Sequence, residues 1–235
     1  MREQLVEIKK GQTGTGLLVE SDGFVSLDLK DNRKLCESIA TEGGMKELPR
    51  PFIVNAIFQK FGVENANGRI YPESVLKREV DKFQQVIKER RALMECNHPE
   101  SATIDLERAA GNIIELHWEG RTLVGKLELL ITEGFRKYGI ISNLADQIAH
   151  LLLSGIVIGV SSRALGTVTQ RNGILYVNDD LELVCWDIVS RESTPGSIMA
   201  TNAEDLNPYI EGLERDSSKL IKEDKFSKFD KWLNG

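Results

Sequence analysis

A chain of 235 residues holds one medium domain with terminal extensions, or two small domains at most. Its 41% hydrophobic and 28% charged residues are ordinary for a soluble globular protein with a real core. The net charge of -6, a pI near 5.3 and the lack of a basic stripe interleaved with aromatics exclude nucleic acid as a primary ligand.

The cysteines Cys36, Cys96 and Cys185 are odd in number and lack CxxC spacing, and "MREQLVEIKK" has no apolar signal-peptide region. Both features point to a reducing cytoplasm. The longest apolar run, "HLLLSGIVIGV", is too short to span a bilayer, so no membrane contact is expected.

Residues 1–47 read as a loosely folded arm, whose "GQTGTG" and "TEGG" match neither GxxxxGK[ST] nor a strand-GxGxxG-helix unit; no cofactor is expected. The main domain is expected over 48–203. It begins with "RPFIVNAIFQKFG", where Phe52, Val54, Ala56 and Phe58 alternate as in a strand leading to the turn "ENANGRIY". Pro72 opens a helix whose apolar face comprises Val75, Leu76, Val80, Phe83, Val86 and Ile87. A short strand, "RALMEC", then delivers the loop "NHPESATIDLER". Two strands, "AGNIIELHW" and "RTLVGKLELL", follow, joined at Glu119 and Gly120.

A second helix is predicted from an N-cap at Thr132 to a stop at Gly155, with Phe135, Ile140, Ile141, Leu144, Ile148 and Leu151 on its apolar face. After it come "GIVIGVSSRALGTVTQ", a hairpin signal at Asn172-Gly173, "ILYV" and "LELVCWDIVSR". Runs of strands with two intercalated helices predict an α+β domain, a closed or partly closed β-barrel flanked by helices. Residues 204–235 form a charged tail outside the core.

Of three histidines, His117 lies in a strand pattern and His150 in an apolar helix, both read as structural or exposed. His98 lies in a polar loop after a strand, where functional side chains concentrate. Ser161 and Ser162 end the apolar run "IVIGV". A serine becomes a nucleophile when a histidine oriented by a third group takes its proton. Gly159, on the face of Ser161, leaves open space there and favours Ser161 over Ser162. Asp187 interrupts an apolar run and requires a partner if buried, so it is the best third member, with Asp105, Glu95 and Glu128 as substitutes. GxSxG is absent. Cys96, His98 and Glu100 stand at alternate positions, with Cys185 a candidate to approach from another strand, but without HExxH or paired CxxC no metal site is expected.

The strings "NANGRIYPESVL", "NHPE", "GVSSRALG" and "DIVSRESTPGS" occur in an order and spacing that closely resembles the prohead core protein proteases of tailed bacteriophages of the myovirus type. The resemblance covers about residues 50–200. It implies distant kinship to the herpesvirus maturation protease, assemblin, and so an assemblin-like barrel surrounded by helices. Carried over by motif, the catalytic histidine falls on His98, the nucleophile on Ser161 and the third catalytic residue on Asp187. Oxyanion donors are sought around Ser162, Arg163 and a turn at "RALG".

The function implied is a serine endopeptidase that cuts scaffold and capsid proteins inside the procapsid, in the host bacterial cytoplasm, after Glu in Leu/Ile-x-Glu contexts. "LVE" at 18–20 and "IKE" at 221–223 match that context, so the tails are candidates for self-trimming, and association into a homo-oligomer fits delayed activation. The alternative is a non-catalytic capsid-assembly or scaffold protein retaining the fold. Two departures stand out: "SSRALG" replaces the family's usual "SSRGLG", which predicts conventional backbone at Ala164, and "VSRES" replaces "VSDPS", so that Arg191 and Glu192 are expected to loosen the loop after the strand.

Overall fold

A computed structural model of the protein describes residues 17–19 and 47–210. The tail expected from residue 204 is described as far as Ile210, and its Leu206 is buried in a core cluster with Ile57 rather than outside the core. The rest of it and the arm outside 17–19 lie outside the described residues. Strand β1 is Leu17–Val19, and β2, Phe52–Lys60, is the predicted alternating strand. Phe52, Val54, Ala56 and Phe58 all point into the main core, while Ile57 on the reverse face joins a smaller cluster with Val124, Ile198, Ala200 and Leu206. Two-sided burial makes β2 a central strand. Next come β3 (Arg69–Ile70), helix α1 (Glu73–Lys88) and β4 (Leu93–Glu95), followed by the hairpin β5 (Ala109–Glu119) and β6 (Thr122–Leu129). Helix α1 buries Val75, Leu76, Val80 and Phe83, as its periodicity predicts.

The single helix predicted over 132–155 is instead two, α2 (Glu133–Tyr138) and α3 (Leu144–Leu153). Gly139 ends α2 in the left-handed region at φ 68°, a conformation that costs glycine little. Asn143 then restarts the chain with a capping box, its side chain bonding to the Asp146 N–H and that of Asp146 returning to the Asn143 N–H. Ile140 and Ile141, assigned by periodicity to the buried face, are therefore exposed. Asp146 itself is buried and accepts hydrogen bonds from the N–H and hydroxyl groups of Thr132 and Ser142. Burial alone would raise its pKa, but these bonds outweigh burial and lower it.

The remaining strands are β7 (Gly159–Leu165), β8 (Val168–Arg171), β9 (Ile174–Val177), β10 (Glu182–Val189) and β11 (Met199–Ala200). Asn172-Gly173 turns the β8–β9 hairpin as predicted, both residues at positive φ. Ladders among the described residues form three open sheets, ordered β11-β2-β6-β5-β4, β1-β7-β10 and β3-β9-β8. The α+β class holds, but no sheet closes into the expected barrel. The ladders stop where β4 meets β10 and where β7 meets the chain before β11. Single bridges span these seams, Cys96 to Ile188 and Gly159 to Ile198. No described helix is long and apolar enough to cross a membrane.

Replacing Asp146 with Asn should cost about 1–3 kcal/mol at neutral pH, read by urea unfolding. Because the folded carboxyl has the lower pKa, the parent chain's advantage is complete above the unfolded aspartate value of about 3.9 and vanishes as pH falls through the folded one.

Candidate active site

Strands β7 and β10 run antiparallel, and their register decides which side chains share a face. Ser161 stands opposite Asp187, Arg163 opposite Cys185 and Gly159 opposite Val189. The reverse face carries Ser162 opposite Trp186 and Val160 opposite Ile188. Val160, Trp186 and Ile188 belong to the main core, where the Trp186 ring meets Phe58 and Phe83 edge-on at 5.6 and 5.1 Å. Ser162 therefore lies on the tryptophan's side and Ser161 on the side of Asp187. Every residue of β7 is buried, and Ala164 keeps ordinary strand backbone, as expected.

The loop after β4 brings His98 to this face. Asn97 adopts positive φ, which asparagine tolerates, and its N–H donates to the Ile188 carbonyl at 2.8 Å. The chain thereby turns beside β10. His98 Nδ1 lies 2.8 Å from Asp187 Oδ2, with 4% of the histidine side chain and none of the aspartate exposed. His117, paired with Glu115 and Glu119, and His150 both face solvent, in keeping with their expected roles.

Beneath the pair sits Arg163, fully buried. Its Nη2 donates to Asp187 Oδ1 at 3.1 Å and its Nε lies 3.0 Å from Oδ2. Nη2 also bonds to Glu95, and Nη1 donates to the Ser101 carbonyl at 2.7 Å. Burial works against charge on Arg163, yet Cys185, Asp187 and Glu95 around it raise its pKa further. Removing one partner of such a buried set typically costs about 3–5 kcal/mol. Glu95, weighed from sequence as a substitute for Asp187, is thus the counter-ion of Arg163 and accepts from the Asp105 N–H at 2.5 Å. Asp105 caps the short turn 106–108, and Glu128 pairs with Arg90 on the surface.

Sequence reasoning treated Arg163 only as a backbone donor. Its signal was a charge two residues from Ser161, on the same face of an apolar strand. Nor is there a turn at 163–165: these residues pair with β1 on one side and β10 on the other, so their backbone groups serve the ladders. Cys185 Sγ donates to Asp187 Oδ1 at 3.2 Å. Burial pushes the Cys96 thiol up to about 11 and Cys185 well above its ordinary value, so both are thiols at neutral pH. Among the described residues no three His, Cys, Asp or Glu side chains are arranged to hold a metal ion.

The space expected beside Gly159 is filled. A Cβ there would come within 3.0 Å of the Glu192 backbone N and Oε2, so glycine lets the 191–197 loop lie on β7. The Val160 N–H donates to the Ser197 carbonyl at 2.7 Å, and the turn at 65–69 docks on the same loop through Ala66 N–H to the Ser193 carbonyl at 2.9 Å. Glu192, expected to loosen this loop, turns inward and is buried; burial raises its carboxyl pKa against hydrogen bonds from its own N–H and that of Gly196.

All four sequence motifs thus converge on one region, and the profile of the prohead core protein serine proteases matches residues 17–204. The chain belongs to this family. Among its relatives, the prohead core protein protease of Enterobacteria phage T4 is 33% identical over 132 residues. These are 55% of this chain and 58% of that protein, so the match spans little more than half of the relative. The solved structure of the bacteriophage T4 capsid assembly protease superposes with a TM-score of 0.53 at 28% identity, covering 74% of this chain and 96% of that one.

In this family member, Glu192→Gln should stabilise the fold at about pH 8, because a carboxyl whose folded pKa is raised is penalised once pH exceeds its unfolded value of about 4.3. The gain should fade as pH falls toward about 4. Urea midpoints measured across that range check both the sign and the window.

Proposed function

We propose that the protein is a serine endopeptidase in which Ser161 is the nucleophile, His98 the general base and then acid, and Asp187 the residue that orients the histidine. The observation that carries this reading is the buried 2.8 Å contact between His98 Nδ1 and Asp187, with Ser161 directly opposite that aspartate on the same strand face. With Nδ1–H committed to Asp187, Nε2 is the nitrogen left to take the Ser161 proton. The serine oxygen attacks the scissile carbonyl, backbone N–H donors stabilise the oxyanion, and His98 returns the proton to the departing amine. Water then releases the acyl group by the same relay.

Family membership, the T4 relative and the T4 capsid assembly protease structure support a role in capsid maturation, with scaffold and capsid proteins cut inside the procapsid within the host bacterial cytoplasm. Cleavage after Glu in Leu/Ile-x-Glu contexts is part of the same reading. So is self-trimming at "LVE" (18–20) and "IKE" (221–223), and Leu18 and Val19 of the first triplet pair with Ala164 and Arg163 on the strand that carries the nucleophile. The two single bridges between sheets support an assemblin-like, partly closed barrel over 48–203. Activation by self-association belongs to the same proposal.

Purified parent protein, Ser161→Ala and Ser162→Ala should be compared on the cognate scaffold protein, with folding checked by circular dichroism. Ser161→Ala should abolish cleavage while Ser162→Ala retains it, and Asp187→Asn should lower kcat by up to about 10⁴-fold. Loss only in Ser162→Ala would move the nucleophile, and undiminished cleavage by both would refute the serine mechanism. A parent protein that cleaves nothing would favour a structural role in capsid assembly. Identical termini in active and Ser161→Ala protein by mass spectrometry would sink self-trimming.

A further inference from the structure

The face of β7 that carries Ser161 holds more charge than a nucleophile, a base and an orienting acid require. Arg163, two residues along the strand, and Glu95 on β4 are both fully buried and lie within one cluster with Asp187. Burying two further charges is costly, and a purely structural solution would replace them with apolar side chains of similar volume. The contacts of Arg163 are also specific. Its Nη2 donates to Asp187 Oδ1 and its Nε stands 3.0 Å from Oδ2 as an ion pair without hydrogen-bond geometry, so the guanidinium lies against both oxygens of the carboxylate. Asp187 Oδ2, one of those two oxygens, is the atom 2.8 Å from His98 Nδ1. The remaining donor, Nη1, holds the Ser101 carbonyl, three residues beyond His98 in the loop that carries the base.

Charge counting adds an independent argument. Two carboxylates and one guanidinium give the cluster one uncompensated negative charge. The cation it lacks is the imidazolium formed when His98 takes the serine proton. Without Arg163 the cluster would be doubly negative, and without Glu95 it would be neutral before the proton moves.

We propose that Arg163 is a positioning residue of the active site, acting through Asp187 and the 97–101 loop, with Glu95 as its counter-ion. This rests on the serine protease reading, so cleavage by the parent protein and its loss in Ser161→Ala come first; failure there overturns both, whereas failure of the Arg163 test alone overturns only this proposal.

Given that result, Arg163→Lys keeps the charge and loses the planar guanidinium whose separate nitrogens reach Asp187, Glu95 and Ser101 at once. It should retain fold and melting temperature while kcat on a peptide substrate falls by about 10- to 100-fold with KM within about twofold, the scale expected when a catalytic group is misplaced by about an ångström. The low-field proton resonance of His98 Nδ1–H, visible by one-dimensional NMR, should shift or vanish in step. If Arg163→Lys does not fold, the charge-balanced double variant Arg163→Met with Glu95→Gln replaces it and should show the same fall in kcat. A folded variant of either kind with parental kcat and an unchanged resonance would overturn the proposal. A rise in KM alone would also overturn it, by assigning Arg163 to substrate binding.

Discussion

The site depends on the register of β7 against β10. Side chains alternate along both strands, so a slip of one residue in β7 would turn Ser162 toward the loop of His98 and press Ser161 into hydrocarbon, away from Asp187. Two features hold the phase. Trp186 fills a fully buried position between Phe58 of β2 and Phe83 of α1, which leaves the next residue, Asp187, on the other side. A bulge at Val184 lets Leu183 pair with Ala164 while Cys185 pairs with Arg163, so the polar residues of the two strands meet in step. The aromatic core is what aims the acid.

Beside that register Asp187 is satisfied by groups of the protein itself. A lone carboxylate at 0% exposure would be strongly disfavoured, whereas Asp187 receives an imidazole, a guanidinium and a thiol. Each of these comes from a different stretch of chain or a different position on the ribbon. The same logic governs Asp146, whose oxygens gather donors from Thr132 and Ser142 and fix the turn between α2 and α3. In both places a buried acid organises the loop that supplies its donors.

Much of this was legible in the sequence. Ser161 and Asp187 stood out because a polar residue closed or broke an apolar run and His98 because it lay in a polar loop after a strand, and the Asn172-Gly173 hairpin followed from local turn chemistry. Less visible was anything requiring a partner far along the chain. Arg163 and Glu95 are 68 residues apart, and nothing local indicates that they meet. The break between α2 and α3 was hidden because Ile140 and Ile141 continue the helical spacing, although Gly139 and the Asn143-to-Asp146 capping box contain the stop and restart. The burial of Glu192 was not foreseen from its replacing a proline, because Gly159, whose missing side chain admits it, lies 33 positions earlier.

The seam between β4 and β10 has a mechanical character of its own. His98 arrives from one sheet and Asp187 from another, and the strands between them are joined by a single bridge at Cys96 and Ile188 and by the Asn97 N–H on the Ile188 carbonyl. Shear along this joint would have to part His98 from Asp187 and also break the buried Arg163–Glu95 pair and the Arg163 bond to the Ser101 carbonyl. Where the ladder bonds run out, buried charge ties one sheet to the other.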